Sequence, residues 1–157
     1  MPIRSVLMVC TGNICRSPTA EAVLRAKAEA AGLDLVVDSA GTSAEEAGNQ
    51  PTTLAKRTAA ARGYRLPDRT ARRVIPDDFR RFDLILAMTN SHRHMLVRMA
   101  PDGLDRKVGL LMAEADDPDE LDVPDPWYGG LADYEHALDL IEQGVRGLTR
   151  RLRAEAG

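Results

Sequence analysis

Val6-Leu7-Met8-Val9-Cys10-Thr11-Gly12-Asn13-Ile14-Cys15-Arg16-Ser17-Pro18 is the stretch on which the fold turns. Its four leading apolar residues predict a short buried strand. Thr19 to Lys27 continues as a helix, expected from about Ser17 to Ala31 and ending near Gly32. A loop running into a helix start presents unpaired N–H groups and the positive end of the helix dipole. Successive loop amides form a nest around an anion. Thr11, Gly12, Asn13, Ile14 and Cys15 supply those amides. Gly12 removes a Cβ where backbone must approach ligand closely, and permits a positive φ. Asn13 tolerates the left-handed region, and Pro18 fits the first helical turn.

Cys10 and Arg16 stand with five residues between them. The field that holds an anion also favours the thiolate of Cys10, taking a thiol of about 8.5 down to roughly 3.5–7.5. That makes Cys10 a nucleophile without a dedicated base. Arg16 offers a planar fork of donors suited to two phosphoryl oxygens. Ser17 is placed to donate its hydroxyl to the sulfur when that sulfur must leave. An ATP-binding loop is a poor match, because no Gly-Lys-Ser/Thr follows.

Outward from this loop, strand and helix patterns alternate. The expectation is an α/β fold: a four-stranded parallel sheet flanked by helices on both faces, with the phosphate-binding loop after the first strand. Strands are expected at Val6–Val9, Leu35–Ala40, Asp83–Met88 and Lys107–Leu111. Helices are expected from Pro51 to about Arg62, from Pro76 to Arg81, and from the Thr89-Asn90-Ser91 cap to before Pro101. The last helix runs from Gly130 to about Ala154, with Leu138, Ile141, Val145, Leu148 and Leu152 at helical spacing. In such sheets ligands bind at the carboxyl ends of the strands. The Cys10 loop, Ser39-Ala40-Gly41 and Met88-Thr89 should meet there.

The 157 residues suffice for a single domain over 1–157 with a sizeable core. With 21 Lys and Arg against 24 Asp and Glu, the net charge of -3 gives no reason to expect a nucleic acid partner. No apolar run approaches the ~18 residues of a membrane span, and Met1 to Ser5 leaves no room for a signal peptide. Neither a membrane partner, a metal nor a cofactor is expected. Two cysteines five apart in one loop point to chemistry in a reducing, cytoplasmic compartment rather than to a structural disulfide.

Attack by sulfur expels an oxygen that needs a proton, and a carboxylic acid is the natural donor. Among 24 acidic residues composition chooses none. Asp125 is the candidate, in Val123-Pro124-Asp125-Pro126-Trp127-Tyr128-Gly129-Gly130, where prolines stiffen the segment and two aromatic rings stand beside the carboxyl.

The Cys10–Pro18 loop, Asp38-Ser39-Ala40-Gly41-Thr42, Phe82–Met88 and Asp125-Pro126-Trp127-Tyr128-Gly129 together resemble the low-molecular-weight protein tyrosine phosphatases, in order and over nearly the whole chain. The resemblance implies hydrolysis of protein phosphotyrosine through a cysteinyl-phosphate intermediate, with inorganic phosphate as product. It implies Cys10 as nucleophile, Arg16 as phosphate clamp and Asp125 as general acid and base. It also implies a hydrogen-bond net of Asn13, Ser17 and Ser39, and Trp127 and Tyr128 as a wall of the substrate cleft. Three positions depart from the family pattern. Glu45 stands where many members carry an aromatic wall, Arg69 where a His often joins the loop, and Thr89 where an Asp commonly follows the strand.

Protein-arginine-phosphate phosphatases resemble this chain at Thr11 and Leu86-Ala87-Met88-Thr89, but Ile14 and the Trp127-Tyr128 pair favour an aryl substrate. Arsenate reductases share the loop, but no cysteine beyond Cys15 exists to relay a disulfide. A silent phosphopeptide-binding module would not need nucleophile, clamp and acid together. Cys15 is open to two readings, loop packing or a resolving thiol, the second implied by the family. His92 and His94 are expected to be solvated surface residues, His136 has no evident partner, and Glu114 to Asp122 reads as a solvated acidic loop.

Overall fold

The structure is a computed structural model that describes residues 2–156; Met1 and Gly157, the ends of the expected domain, lie outside them. The strands are β1 (Ser5–Cys10), β2 (Val36–Gly41), β3 (Leu84–Ala87) and β4 (Val108–Leu110). The helices are α1 (Arg16–Ala30), α2 (Thr53–Ala61), α3 (Pro76–Arg81), α4 (Asn90–Met99) and α5 (Leu131–Ala156). All strand pairs are parallel, in the order β2-β1-β3-β4. The expected elements are present, with ends shifted by one or two residues in most of them. Two short 3₁₀ turns, Asp105–Lys107 and Leu111–Glu114, flank β4 and were not expected from the sequence.

β1 is central and covered on both faces, which is why it reads as an unbroken apolar run rather than an alternation. Its residues nevertheless divide by face. Val6 and Met8 join the larger core with Val23, Leu24, Leu138, Ile141 and Leu148 of α1 and α5. Leu7 and Val9 join the smaller core with Phe79, Phe82, Ile85 and Leu96 on the α3 and α4 side. With Cys10 paired to Gly41 and Val9 to Ala87, the ends of β2 and β3 flank the loop that leaves β1.

Helix α5 approaches the 3₁₀ turn after β4 so closely that a Cβ on Gly147 would lie 1.8 Å from the Glu114 carbonyl oxygen. The acidic segment beyond is not simply a solvated loop. Glu114 and Asp116 pair with Arg151 and Arg150, Glu120 meets His136 Nε2 at 2.6 Å, and Asp122 Oδ1 accepts from Asn90 N at 2.8 Å. His136 therefore has a partner, against expectation. The segment is tied to α5 at one end and to α4 at the other, and this fixes where Asp125 emerges.

Candidate active site

Cys10 closes β1, and residues 11–15 form a loop into α1 at the carboxyl end of the sheet. The backbone N–H groups of residues 11–15 donate to no protein acceptor among the described residues. Amides left unpaired at a helix start are donors set for an anion. Asn13 takes a left-handed conformation at φ 59. Gly12 does not use the positive φ open to it, and a Cβ on it would meet the Glu46 side chain at 3.0 Å rather than backbone. The crowded glycine is Gly41, across the ladder, where a Cβ would lie 2.5 Å from the Thr11 carbonyl oxygen.

A directed chain of hydrogen bonds holds the loop. Asn13 Nδ2 donates to Ser17 Oγ at 2.8 Å and to Ser39 Oγ at 2.9 Å. The Ser17 hydroxyl proton then has two acceptors in reach, Cys10 Sγ at 3.0 Å and the Ala40 carbonyl at 3.4 Å. Ser39 donates to Glu21 Oε1 at 2.6 Å. Asn13 Oδ1 accepts from the Arg72 amide at 3.1 Å. Glu21 is fully buried, and its carboxylate is compensated by Arg25 at 2.9 Å and by contact with Arg69. Arg69 also reaches Asp38 at 2.6 Å. It therefore supports the net through Glu21, while the direct bond to Asn13 comes from the Arg72 backbone.

Arg16 is 5% exposed. Its guanidinium donates through one terminal nitrogen to the Val123 carbonyl at 3.0 Å and through the other to Thr11 Oγ1 at 3.4 Å. Its Nε has no hydrogen-bond partner among the described residues. A buried donor left unpaired is costly unless a ligand takes it. Asp125 Oδ2 lies 3.6 Å from Arg16, while Oδ1 accepts from the Trp127 amide at 3.0 Å. That Asx turn leaves Oδ2 as the oxygen able to exchange a proton.

Cys10, Thr11, Gly12, Ile14, Cys15, Arg16 and Asp125 line one cleft of about 170 Å³. Trp127 and Tyr128 border it from the Asp125 loop, and Ser43, Glu45 and Glu46 from the loop after β2. A larger cleft of about 680 Å³ between α1 and α5 shares no residue with it. Cys15 Sγ sits 3.6 Å from both Thr52 Oγ1 and Tyr134 Oη. Burial raises its thiol pKa above the ordinary value, against the opposing effect of those two hydroxyls.

His92 is not a solvated surface residue. It is 5% exposed, with Nε2 at 2.7 Å from Thr11 Oγ1 and Nδ1 at 3.0 Å from Thr89 Oγ1. Burial first, and then the charge of Arg16, push its pKa down to about 4, so the ring is neutral near pH 7. The sequence signal available for it was the Thr89-x-x-His92 spacing at a helix cap. His94 is exposed, as expected.

Residues 5–157 match the family described as low molecular weight phosphotyrosine protein phosphatase. The chain is 43% identical to a low molecular weight protein-tyrosine-phosphatase of Streptomyces coelicolor, covering 96% of this chain and 94% of that one. It is 40% identical to a putative low molecular weight protein-tyrosine-phosphatase of Synechocystis, covering 96% and 97%. A crystal structure of a protein tyrosine phosphatase from Entamoeba histolytica superposes with a TM-score of 0.93 at 32% identity, covering 98% of this chain and 99% of that chain.

Proposed function

We propose, for a chain that belongs to the low molecular weight phosphotyrosine protein phosphatase family, that the Cys10 cleft hydrolyses phosphotyrosine on proteins through a cysteinyl-phosphate intermediate. The observation that carries the role of the loop is the set of unpaired amides at residues 11–15, together with the unpartnered Nε of Arg16. These donors suit the three non-bridging oxygens of a phosphoryl group.

In this reading Cys10 Sγ attacks phosphorus and the tyrosyl oxygen departs with a proton from Asp125 Oδ2. Arg16 presents Nε and a terminal nitrogen to the oxygens that gain charge in the transition state. The phosphate is now on sulfur, and Asp125, having lost its proton, takes one from an attacking water. Phosphate leaves, and the hydroxyl of Ser17 stabilises the departing sulfur. Trp127 and Tyr128 border the aryl ring. Cys15 acts as resolving thiol when Cys10 is oxidised. Residues 1–157 serve as one phosphatase domain. Two free cysteines support a cytoplasmic setting, and no helix among the described residues is long and apolar enough to cross a membrane.

The test is kinetics of the wild type and Cys10→Ser on matched phosphotyrosine and phosphoarginine peptides. The wild type should favour phosphotyrosine, and Cys10→Ser should lose turnover while still binding vanadate. Residual activity within about tenfold of wild type would remove Cys10 as nucleophile, since losing a covalent nucleophile costs far more. A preference for phosphoarginine would reassign the substrate.

A further inference from the structure

The chemistry above leaves the buried imidazole of His92 without a task. His92 is held at both ring nitrogens, and the two holds have different origins. Thr89 caps α4, its Oγ1 accepting from the His92 amide at 3.2 Å, and Nδ1 meets that same oxygen at 3.0 Å. The first turn of α4 thus sets the direction of the ring without help from the phosphate loop. Nε2 emerges toward Thr11 Oγ1 at 2.7 Å. A neutral imidazole has one donor and one acceptor, and it suits bridging two hydroxyls, each of which can do either.

Thr11 is the first loop residue after Cys10, and its Oγ1 also accepts from Arg16 at 3.4 Å. The other terminal nitrogen of Arg16 is held by the Val123 carbonyl, and the Val123 amide in turn donates to the Met88 carbonyl at 2.8 Å. Both terminal nitrogens of the guanidinium are therefore reached from the β3–α4 junction. One path runs through Met88 and Val123, the other through His92 and Thr11. With these held, Nε stays wholly unpaired among the described residues, and each terminal nitrogen keeps its second N–H for a ligand.

We propose that His92 is a positioning residue, which locks the Thr11 hydroxyl and through it the guanidinium of Arg16 in the arrangement the phosphoryl group requires. The proposal rests on the function inferred for the Cys10 cleft. Packing alone would make His92 matter for stability and leave the turnover of folded enzyme unchanged. Positioning places the effect in kcat, because the guanidinium contact tightens in the transition state.

A double-mutant cycle separates these roles. His92→Leu and Thr11→Val should each lower kcat on a phosphotyrosine peptide about tenfold, the scale of one lost hydrogen bond. KM should stay within about twofold, with rates corrected for the folded fraction from thermal melts. The double variant should be no slower than the slower single one, since both cut the same path. His92→Gln, whose amide nitrogen can stand in for Nε2, should recover kcat to within about threefold of wild type. Unchanged kcat in His92→Leu, losses that multiply in the double variant, or failure of His92→Gln to recover would each overturn the proposal. Should His92→Leu fail to fold, Thr11→Ser against Thr11→Val gives the same readout: the serine keeps the hydroxyl and should turn over about tenfold faster than the valine variant, and equal kcat in the two overturns the proposal. The activity of Cys10→Ser is a separate measurement. If that variant is active the function itself falls; if it is inert and the cycle fails, only the role of His92 falls.

Discussion

Gly41→Ala should disable the enzyme while leaving it folded. Gly41 ends β2, paired with Cys10, and the next two amides donate to the Cys10 and Thr11 carbonyls at 2.9 and 3.0 Å. A Cβ there would lie 2.5 Å from Thr11 O and 3.2 Å from both Gly12 C and Asn13 N. The first of these is about 0.8 Å inside ordinary C···O contact. Gly41 is not among the positive-φ residues, so alanine has no dihedral penalty and the effect is steric. The ladder fixes β2, so the loop must yield, by an amount on the order of 1 Å. Displacement of that size costs about 10²-fold in rate. Overpacking costs about 1–3 kcal/mol, which a domain stable by about 5–15 kcal/mol survives, with Tm lowered by roughly 3–10 °C. Steady-state kinetics with an aryl phosphate, vanadate binding and a thermal melt measure all three. Gly109→Ala is the control, because its Cβ would meet only Leu86 Cδ2, at 3.6 Å. Wild-type kcat in Gly41→Ala, or an equal loss in Gly109→Ala, would refute the argument that this contact sets the loop.

Asp125→Asn retains an acceptor for the Trp127 amide and removes the proposed proton donor, so it should slow phosphorylation of Cys10 by phosphotyrosine or phenyl phosphate about 10²–10⁴-fold. An activated aryl phosphate, whose phenolate leaves unaided, should be slowed much less in the burst phase; equal slowing of both would move the acid elsewhere. Mild peroxide should inactivate reversibly: Cys10 is oxidised to a sulfenic acid, and the Cys15 thiol condenses with it to a disulfide with loss of water. Mass spectra showing overoxidised Cys10 beside free Cys15, with no recovery in dithiothreitol, would leave Cys15 as a packing residue only.

What could be read from the sequence was contiguous in the chain. Cys10 to Ser17 is a strand end, a loop and a helix start, so its chemistry follows from neighbours along the backbone. The alternation of β1, α1, β2 and the later elements fixes the parallel sheet for the same reason, with ends blurred where helices fray. What could not be read depends on contacts between distant segments. His92 looked like a surface residue because its burial comes from the α4 cap meeting Thr11, 81 positions away. The need for a glycine at position 41 had no signal, because the backbone its Cβ would meet is that of Thr11, Gly12 and Asn13 in the loop after β1. The hold on Arg16 by the Val123 carbonyl had no signal at all, since any residue carries a carbonyl.

These distant contacts share one consequence. The loop is anchored from three directions: from β2 through Thr42 and Ser43, from the Asn13–Ser39–Glu21 net, and from α4 through His92. None of these anchors uses the amides of residues 11–15 or the Nε of Arg16. A loop fixed by its carbonyls and side chains, with its donors left unpaired, needs little reorganisation when charge develops on a bound phosphoryl group, and such preorganisation is the largest source of electrostatic catalysis. The arrangement also explains why the surrounding carboxylates are compensated: Glu21 by Arg25 and Arg69, and Asp78 by Arg72. An unpaired buried charge close to the loop would distort the field that the anion meets. The substitutions with the largest effect on kcat, beyond Cys10, Arg16 and Asp125 themselves, should therefore be those that release an anchor and not those that change the rim at Glu45 or Tyr128.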